Sequence, residues 1–403
     1  MIRNNPELRR SKKRLRSQHA PFRHVLFIIN LFMLAFWAWS SMTILSAKPM
    51  ESKVLEDGIS VGVDQIAGIA QPVYGRHVVW KSPQGDDIEA VYALPKTARK
   101  QKMKGIALLL HACTHNAFKF FSPSDDLCPS CLGLAEELRI VRILLSRNYA
   151  TLAVTSKDQN TGCWSDNDLP RLDIALKAFH REILSDKDND DVKTIIAVGA
   201  SSGGNMAAKV AVERKADAAL VMVMALRPTL QKRFSSSIDA PPPIYLAPMP
   251  KDVGTTKRAE QNYEAMMSES FGSHAYVKLD KTNCVPLAVT TSYLMGRVPG
   301  MTIESAERIV KGLKEAKHLS EDSSLLLVDP TRSNWRDILT QMDNAANETP
   351  SVEDFLWGKF LLTPGKSPLA KALHRAWAFH EYCSESVEPA LNFFERLLAS
   401  EMQ

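Results

Sequence analysis

Residues 195–208 limit the architectures open to this chain more than any other stretch. They read IIAVGASSGGNMAA: a β-branched apolar run, then Gly199-Ala200-Ser201-Ser202-Gly203-Gly204, then small residues suited to a tightly packed helix. A strand that turns directly into a helix passes through a sharp, strained corner. That corner closes only where the neighbouring residues have almost no side chain. Gly199 and Gly203 meet this need on either side of Ser201. A serine so placed projects its Oγ above the sheet. The Ser202 N–H then falls at the helix N-terminus, where negative charge is stabilised. A register one residue later would put Ser202 at the corner with Ala200 in the first small position; glycine accepts such a turn better than alanine, which favours Ser201.

Strand and helix signals alternate around this corner. Apolar or alternating runs at Arg76–Lys81, Ile88–Leu94, Gly105–Leu110, Tyr149–Thr155, Thr194–Val198, Ala218–Ala225 and Ile244–Ala247 read as strands, the first two joined by a turn at Pro83-Gln84-Gly85-Asp86. Helical periodicity fills 132–146, 172–184 and 204–212. Runs apolar on both faces, separated by helices, predict an α/β fold: a mostly parallel sheet covered by helices on both faces. From about 255 to 372 the pattern is helical, polar and broken by Pro and Gly, too long for a connection. We read it as a cap. Pro389–Leu398 then forms a last amphipathic helix.

Charge is concentrated at the N-terminus. Residues 1–24 carry eight Lys and Arg against Glu7, which puts +7 in this tail and leaves −2 of the chain's net +5 for everything after it. A nearly neutral body argues against nucleic-acid binding. Residues 25–45, VLFIINLFMLAFWAWSSMTIL, contain no charge. About 20 such residues span a hydrocarbon core of ~30 Å. The basic residues before the span predict a cytoplasmic N-terminus, a single-pass type II signal anchor and a lumenal or extracellular body. A cleaved signal peptide ending near Ala47 is the competing reading. Residues 46–72 read as a stalk, and 73–403 as the body that carries the cap.

Six cysteines, Cys113, Cys128, Cys131, Cys163, Cys284 and Cys383, suit that oxidising compartment, with disulfides as the default. Cys128-Pro-Ser-Cys131 has redox or zinc spacing, but no second CxxC follows, and no metal or cofactor is expected. Asn347-Glu348-Thr349 is a glycosylation sequon, and the acidic run Asp186–Asp191 reads as a solvated loop.

A serine hydroxyl becomes a nucleophile when a histidine takes its proton and a carboxylate fixes that histidine's tautomer. Asp252 lies just beyond a short strand, on the rim expected for Ser201; it also suits an N-cap for a helix beginning near Thr255. Of the histidines after Ser201, His274 and His318 fall in or beside the cap. His380 sits in a loop before the final helix and His374 in a basic helical stretch, so His380 is favoured as base. Glu381 adjoins it as a partner or a helix start. A second oxyanion donor belongs in the loop after the third strand. There the chain reads LLLHACTHN, so His111 is followed by Ala112 and Cys113, whose backbone N–H groups are the candidates, where lipases and esterases often carry glycines.

The order LLLHACTH, CLGLAEELRIVRILLSRNYATLAVTS, CWS, GASSGGNMA and MPKD resembles the α/β-hydrolase fold, in particular membrane-anchored eukaryotic members of plant and algal type. The resemblance implies a serine hydrolase with Ser201 as nucleophile, Asp252 as acid, His380 as base, and the Ser202, Ala112 and Cys113 N–H groups as oxyanion hole. It also implies that Cys128, Cys131 and Cys163 lie on neighbouring loops, with Cys163 paired to Cys128 or Cys131. The expected activity is cleavage of an ester, thioester or amide through an acyl-enzyme. Phe118, Phe120, Phe121 and Trp164 near the entrance lean toward a hydrophobic, lipid-like acyl group. A peptidase, an acyltransferase or a non-catalytic binding ectodomain are the alternatives on the same fold.

Overall fold

The computed structural model describes residues 70–96, 102–184, 194–235, 241–269, 276–346, 362 and 365–401. The expected basic tail, membrane span, most of the stalk, the Asp186–Asp191 run and the Asn347 sequon lie outside these residues. Among the described residues, no helix is long and apolar enough to cross a membrane. All of them fall within the unit Asp64–Gln403.

Eight strands form one sheet in the order β1-β2-β4-β3-β5-β6-β7-β8. β1 (Arg76–Lys81) and β2 (Asp87–Ala93) form the antiparallel hairpin, and β2 runs antiparallel to β4 (Tyr149–Val154). From β4 onward every neighbour is parallel: β3 (Gly105–Leu110), β5 (Ile195–Ala200), β6 (Ala218–Met222), β7 (Ile244–Ala247) and β8 (Val277–Leu279). This eight-stranded, mostly parallel sheet with its strand-serine-helix corner fits the α/β-hydrolase fold.

Every residue of β3, β4, β6 and β7 is buried. Alternate side chains leave opposite faces of a strand. Thus Ile106, Leu108 and Leu110 enter one core with Leu172 and Phe179 of α2 (Leu169–Phe179), Met206 and Val210 of α3 (Ser202–Val212), and Leu230 of α4 (Pro228–Ser235). Ala107 and Leu109 enter the other, with Ile140 and Leu144 of α1 (Ala135–Ser146) and with Leu391 and Phe394 of the last helix, Val387–Glu401. Both faces are covered by helices, as the two-sided apolar runs require.

The cap expected over about 255–372 divides in two. Its first part belongs to the main body: α5 (Val253–Glu269) leads to β8, which extends the sheet beside β7. The second part has its own core. Leu294 and Val298, Ile309 and Leu313, Trp335 and Leu339, and Leu369 and Leu373 form a third hydrophobic cluster with Ala135 of α1. These pairs come from α6 (Thr291–Arg297) with its C-cap Val298, α7 (Ile303–Glu315), α8 (Trp335–Ala346) and α9 (Pro368–Trp377). The helical insertion therefore begins after β8, not after Asp252.

Candidate functional site

At the end of β5 the chain turns through Ser201 with φ 54° and ψ −123°, and α3 begins at the next residue. A non-glycine residue at positive φ is uncommon and costs about 1–3 kcal/mol, so the surroundings must hold it. Gly203 shows how tightly they do. A Cβ there would stand 2.1 Å from the Leu110 carbonyl oxygen and 2.5 Å from that of His111. Glycine thus lets the start of α3 abut the end of β3, which brings the Ser202 N–H beside the His111–Cys113 loop.

Asp252 follows β7, and its carboxylate serves two neighbours. Oδ1 accepts the Thr255 N–H at 3.2 Å, which caps the first turn of α5, while Oδ2 lies 2.7 Å from His380 Nδ1. Capping the helix and orienting the histidine are therefore compatible tasks for one side chain. His380 reaches this point because α9 ends at Ala378 in the left-handed conformation, φ 58°, with its carbonyl accepting the Lys251 N–H at 3.2 Å. The reversed chain brings His380 Nε2 to 3.0 Å from Ser201 Oγ. Ser202 Oγ has no hydrogen-bond partner, and His374 lies elsewhere, its Nδ1 3.7 Å from Glu381 Oε2. The structure thus brings Ser201, His380 and Asp252 into one hydrogen-bonded line, and leaves out both Ser202 Oγ and His374.

The loop after β3 is organised by His111, which is fully buried. Burial holds its imidazole well below the ordinary value, at about 3, so the ring is neutral. Nε2 accepts the Ser156 N–H at 2.9 Å, which leaves Nδ1–H to donate to the Ala112 carbonyl, also at 2.9 Å. That carbonyl also accepts the His115 N–H at 3.2 Å. Because a trans peptide sets C=O and N–H in opposite directions, the Cys113 N–H points away from these donors. Tyr382, which lines the same pocket as Ala112, donates its hydroxyl to the Leu110 carbonyl at 3.3 Å. The direction of its peptide makes the Cys113 N–H, with that of Ser202, the pair best suited to an oxyanion.

The neutral ring carries a stability consequence. Its folded value lies below the unfolded 6.5, so the unfolded state binds the extra proton and stability falls with pH between about 6.5 and about 3. His111→Asn should lose up to about 1.4 kcal/mol less per pH unit across that window than the wild type. Urea midpoints at pH 7 and pH 4.5 measure the difference, and equal slopes would exclude it.

A pocket of about 320 Å³ opens in front of Ser201, lined by Ala112, Cys113, His115, Val223, Lys371, His380, Glu381 and Tyr382 among others. It lacks the aromatic wall that the sequence suggests. Phe120 and Phe121 are buried in the core, Phe118 packs edge-on against His77, and Trp164 is buried with its Nε1–H on the His111 carbonyl. These rings read as entrance residues only because a loop was expected where the chain folds inward. The actual wall combines small apolar residues such as Ala112, Ala200 and Val223 with an ion pair. Lys371 of α9 pairs with the buried Glu381 at 2.9 Å, and His115 lies 3.0 Å from the fully buried Glu137. Burial opposes both charges of the first pair. Their mutual attraction, with Glu137 beside Lys371 and His374 beside Glu381, outweighs it, so the lysine is raised and the glutamate held well below its usual range. Glu381 adjoins His380 in sequence, whereas Lys371, His115, Glu137 and Tyr382 carry no sequence signal; a lysine on an amphipathic helix reads as solvated.

All six cysteines are paired, as Cys113–Cys163, Cys128–Cys131 and Cys284–Cys383. The expected pairing of Cys163 with Cys128 or Cys131 is corrected. β3 and β4 are parallel neighbours, so the loops leaving their carboxyl ends meet, and Cys113 is the residue that faces Cys163 there. Cys128 and Cys131 close a turn on themselves.

No known family model matches the chain, and no curated protein matches it. Solved structures similar to it include an esterase of Pyrococcus furiosus, at 13% identity over 53% of this chain and 84% of that one, with a TM-score of 0.38. An acylaminoacyl peptidase of Pyrococcus horikoshii is similar at 10% identity over 53% and 38% of the two chains, with a TM-score of 0.39. Esterase 2 of Thermogutta terrifontis, phosphorylated by paraoxon, is similar at 13% identity over 51% and 81%, with a TM-score of 0.37.

Proposed function

We propose that this chain is a membrane-anchored serine hydrolase that cleaves esters through an acyl-enzyme, without a cofactor. The observation that carries the reading is His380 bridging Ser201 Oγ at 3.0 Å and Asp252 Oδ2 at 2.7 Å. In this mechanism His380 Nε2 takes the Ser201 proton as Oγ attacks the ester carbonyl carbon. Asp252 holds the Nδ1–H and balances the imidazolium that forms. The Ser202 and Cys113 N–H groups face the tetrahedral oxyanion. Its collapse expels the alcohol, which takes the proton from His380 and leaves Ser201 acylated. Water then enters, gives its proton to His380 and attacks the acyl carbonyl; breakdown returns the proton to Ser201 and frees the acid. Anchoring through residues 25–45, with the catalytic domain lumenal or extracellular, is supported by the charge order of the N-terminus and by the three disulfides.

The Lys371–Glu381 pair in the pocket wall favours a short or polar acyl group over a lipid-like one. Each methylene buried against apolar surface is worth about 0.8 kcal/mol, a gain forfeited where the surface is an ion pair. With p-nitrophenyl esters on the detergent-solubilised full chain, kcat/KM should not rise from acetate to octanoate, and methoxyacetate should be cleaved at least as well as butyrate. A rate that climbs with chain length would overturn this preference while leaving the nucleophile assignment intact. A fluorophosphonate probe tests that assignment: labelling of the wild type that is absent in Ser201→Ala supports it, and no labelling of the wild type rejects it.

A further inference from the structure

We propose that Cys163, through its bridge to Cys113, is a positioning residue of the oxyanion hole: the loop after β4 holds the Cys113 N–H where the developing negative charge needs it. The proposal rests on the reading of Ser201 as nucleophile.

The loop that carries Cys113 is not built to hold its shape alone. Its third residue after His111, Thr114, has φ 64°. A β-branched residue in the left-handed region is an outlier that persists only when its surroundings over-determine it. The surroundings here are the loop after β4, which is tied to the first loop four times within a few residues. His111 Nε2 accepts the Ser156 N–H at 2.9 Å, the His111 carbonyl accepts Trp164 Nε1–H at 2.7 Å, and the Thr114 N–H donates to the Thr161 carbonyl at 2.7 Å. The fourth tie is the disulfide, which sets the Cys113 and Cys163 Cα atoms 4.3 Å apart. Gly162 permits this approach, since a Cβ there would lie 2.8 Å from the Thr114 nitrogen.

The second loop can act as a clamp because it is itself fixed. Asp158 Oδ1 accepts the Asn160 N–H at 3.0 Å and the Thr161 N–H at 3.2 Å. The buried Asp168 accepts the Lys157 N–H at 2.6 Å and the Ser165 N–H at 2.9 Å. Of the four ties, the disulfide alone acts on the residue whose N–H is the donor. An oxyanion donor contributes when it is fixed before charge develops, and removing one costs on the order of 10²–10³ in kcat. Loosening one should cost less and in the same place: in kcat and in the affinity for transition-state mimics, with little change in substrate binding.

The test compares the full chain with the double variant Cys113→Ala/Cys163→Ser, which leaves no unpaired thiol and keeps the residue 113 N–H. The control Cys128→Ser/Cys131→Ser removes a disulfide away from this loop. The expected result is a kcat lower by about 10- to 100-fold, with KM within about twofold and the Ki of a butylboronic acid weakened in proportion to kcat. The control should stay within about twofold of wild type throughout. A kcat and boronate Ki unchanged in the 113/163 variant, or an equal fall in the control, overturns the proposal. If the double variant is not recovered folded, Trp164→Phe removes one tie without touching a cysteine. It should then show the same kcat-selective loss at about three- to tenfold, and unchanged kcat and boronate Ki there also overturn the proposal. A wild type with neither turnover nor Ser201-dependent labelling brings down the nucleophile reading and this proposal together, whereas an active wild type with an unaffected variant sinks the proposal alone.

Discussion

Ser201→Ala lowers kcat by on the order of 10⁵-fold or more, leaving only the residual catalysis of binding and the oxyanion hole, while Ser202→Ala keeps most of its activity. The size of the first effect follows from the loss of the attacking atom itself, the hydroxyl that His380 Nε2 meets at 3.0 Å. The contrast with Ser202 is sharper than either value. Ser202 contributes its main-chain N–H to the proposed oxyanion hole, and alanine retains that group, while its hydroxyl is buried without a partner. Steady-state hydrolysis of p-nitrophenyl acetate measures both variants. A loss confined to Ser202→Ala would place the nucleophile in the other register. His380→Ala serves as a companion, since its loss should match that of Ser201 because the two act as a unit.

Glu385→Ala destabilises the fold by about 3–5 kcal/mol, the largest stability effect expected of a single substitution outside the apolar core. Two guanidinium groups from the helical insertion converge on this carboxylate, Arg297 from α6 and Arg375 from α9, the latter at 2.8 Å. Both arginines are buried, and Arg297 also reaches the fully buried Glu136 of α1. Removing Glu385 leaves two buried cations short of counter-charge, which costs more than the pair itself is worth. Burial opposes the Glu385 charge, but Arg297, Arg375 and Arg139 outweigh it and hold the carboxyl below the unfolded 4.5. Its contribution is therefore complete above about pH 4.5 and is lost as pH falls through that value and below. Urea unfolding at pH 7 should separate wild type and variant clearly, and the gap should narrow in acid. A shift below about 1 kcal/mol at pH 7 would show that water, not protein, neutralises these arginines.

The parts of the site legible in the sequence are those whose chemistry is also a backbone requirement. The elbow is readable because Gly199 and Gly203 are demanded by atoms only 2.1–2.3 Å from where a Cβ would sit. Asp252 is readable because it ends a short apolar strand, and His380 because it follows the last amphipathic helix before the final one. β8 is not readable. It has three residues, Val277–Leu279, too few to show a period, so the helical region merges with the main body and the insertion looks longer than it is. Disulfide pairing depends on which loops face each other across β3 and β4, and that is set by sheet order. The ion pair in the pocket wall is hidden for a related reason. Lys371 and Glu381 are charged residues in a charged region, and only the fold turns them inward against one another.

On the proposed mechanism, the position of His380 behind the insertion makes activity conditional on the docking of the segment that carries it. Ser201 and Asp252 are supplied by the first two-thirds of the polypeptide, but the base stands 179 residues after the serine and is presented by the turn that ends α9. α9 is in turn fastened to the rest by Arg375, Glu385 and the Cys284–Cys383 bridge. An emerging or clipped chain that had formed the sheet but not the insertion would hold a silent serine. On the proposed mechanism, hydrolysis then begins only when the segment carrying His380 has docked, so docking itself acts as a safety catch within the secretory membrane system where we propose the protein resides.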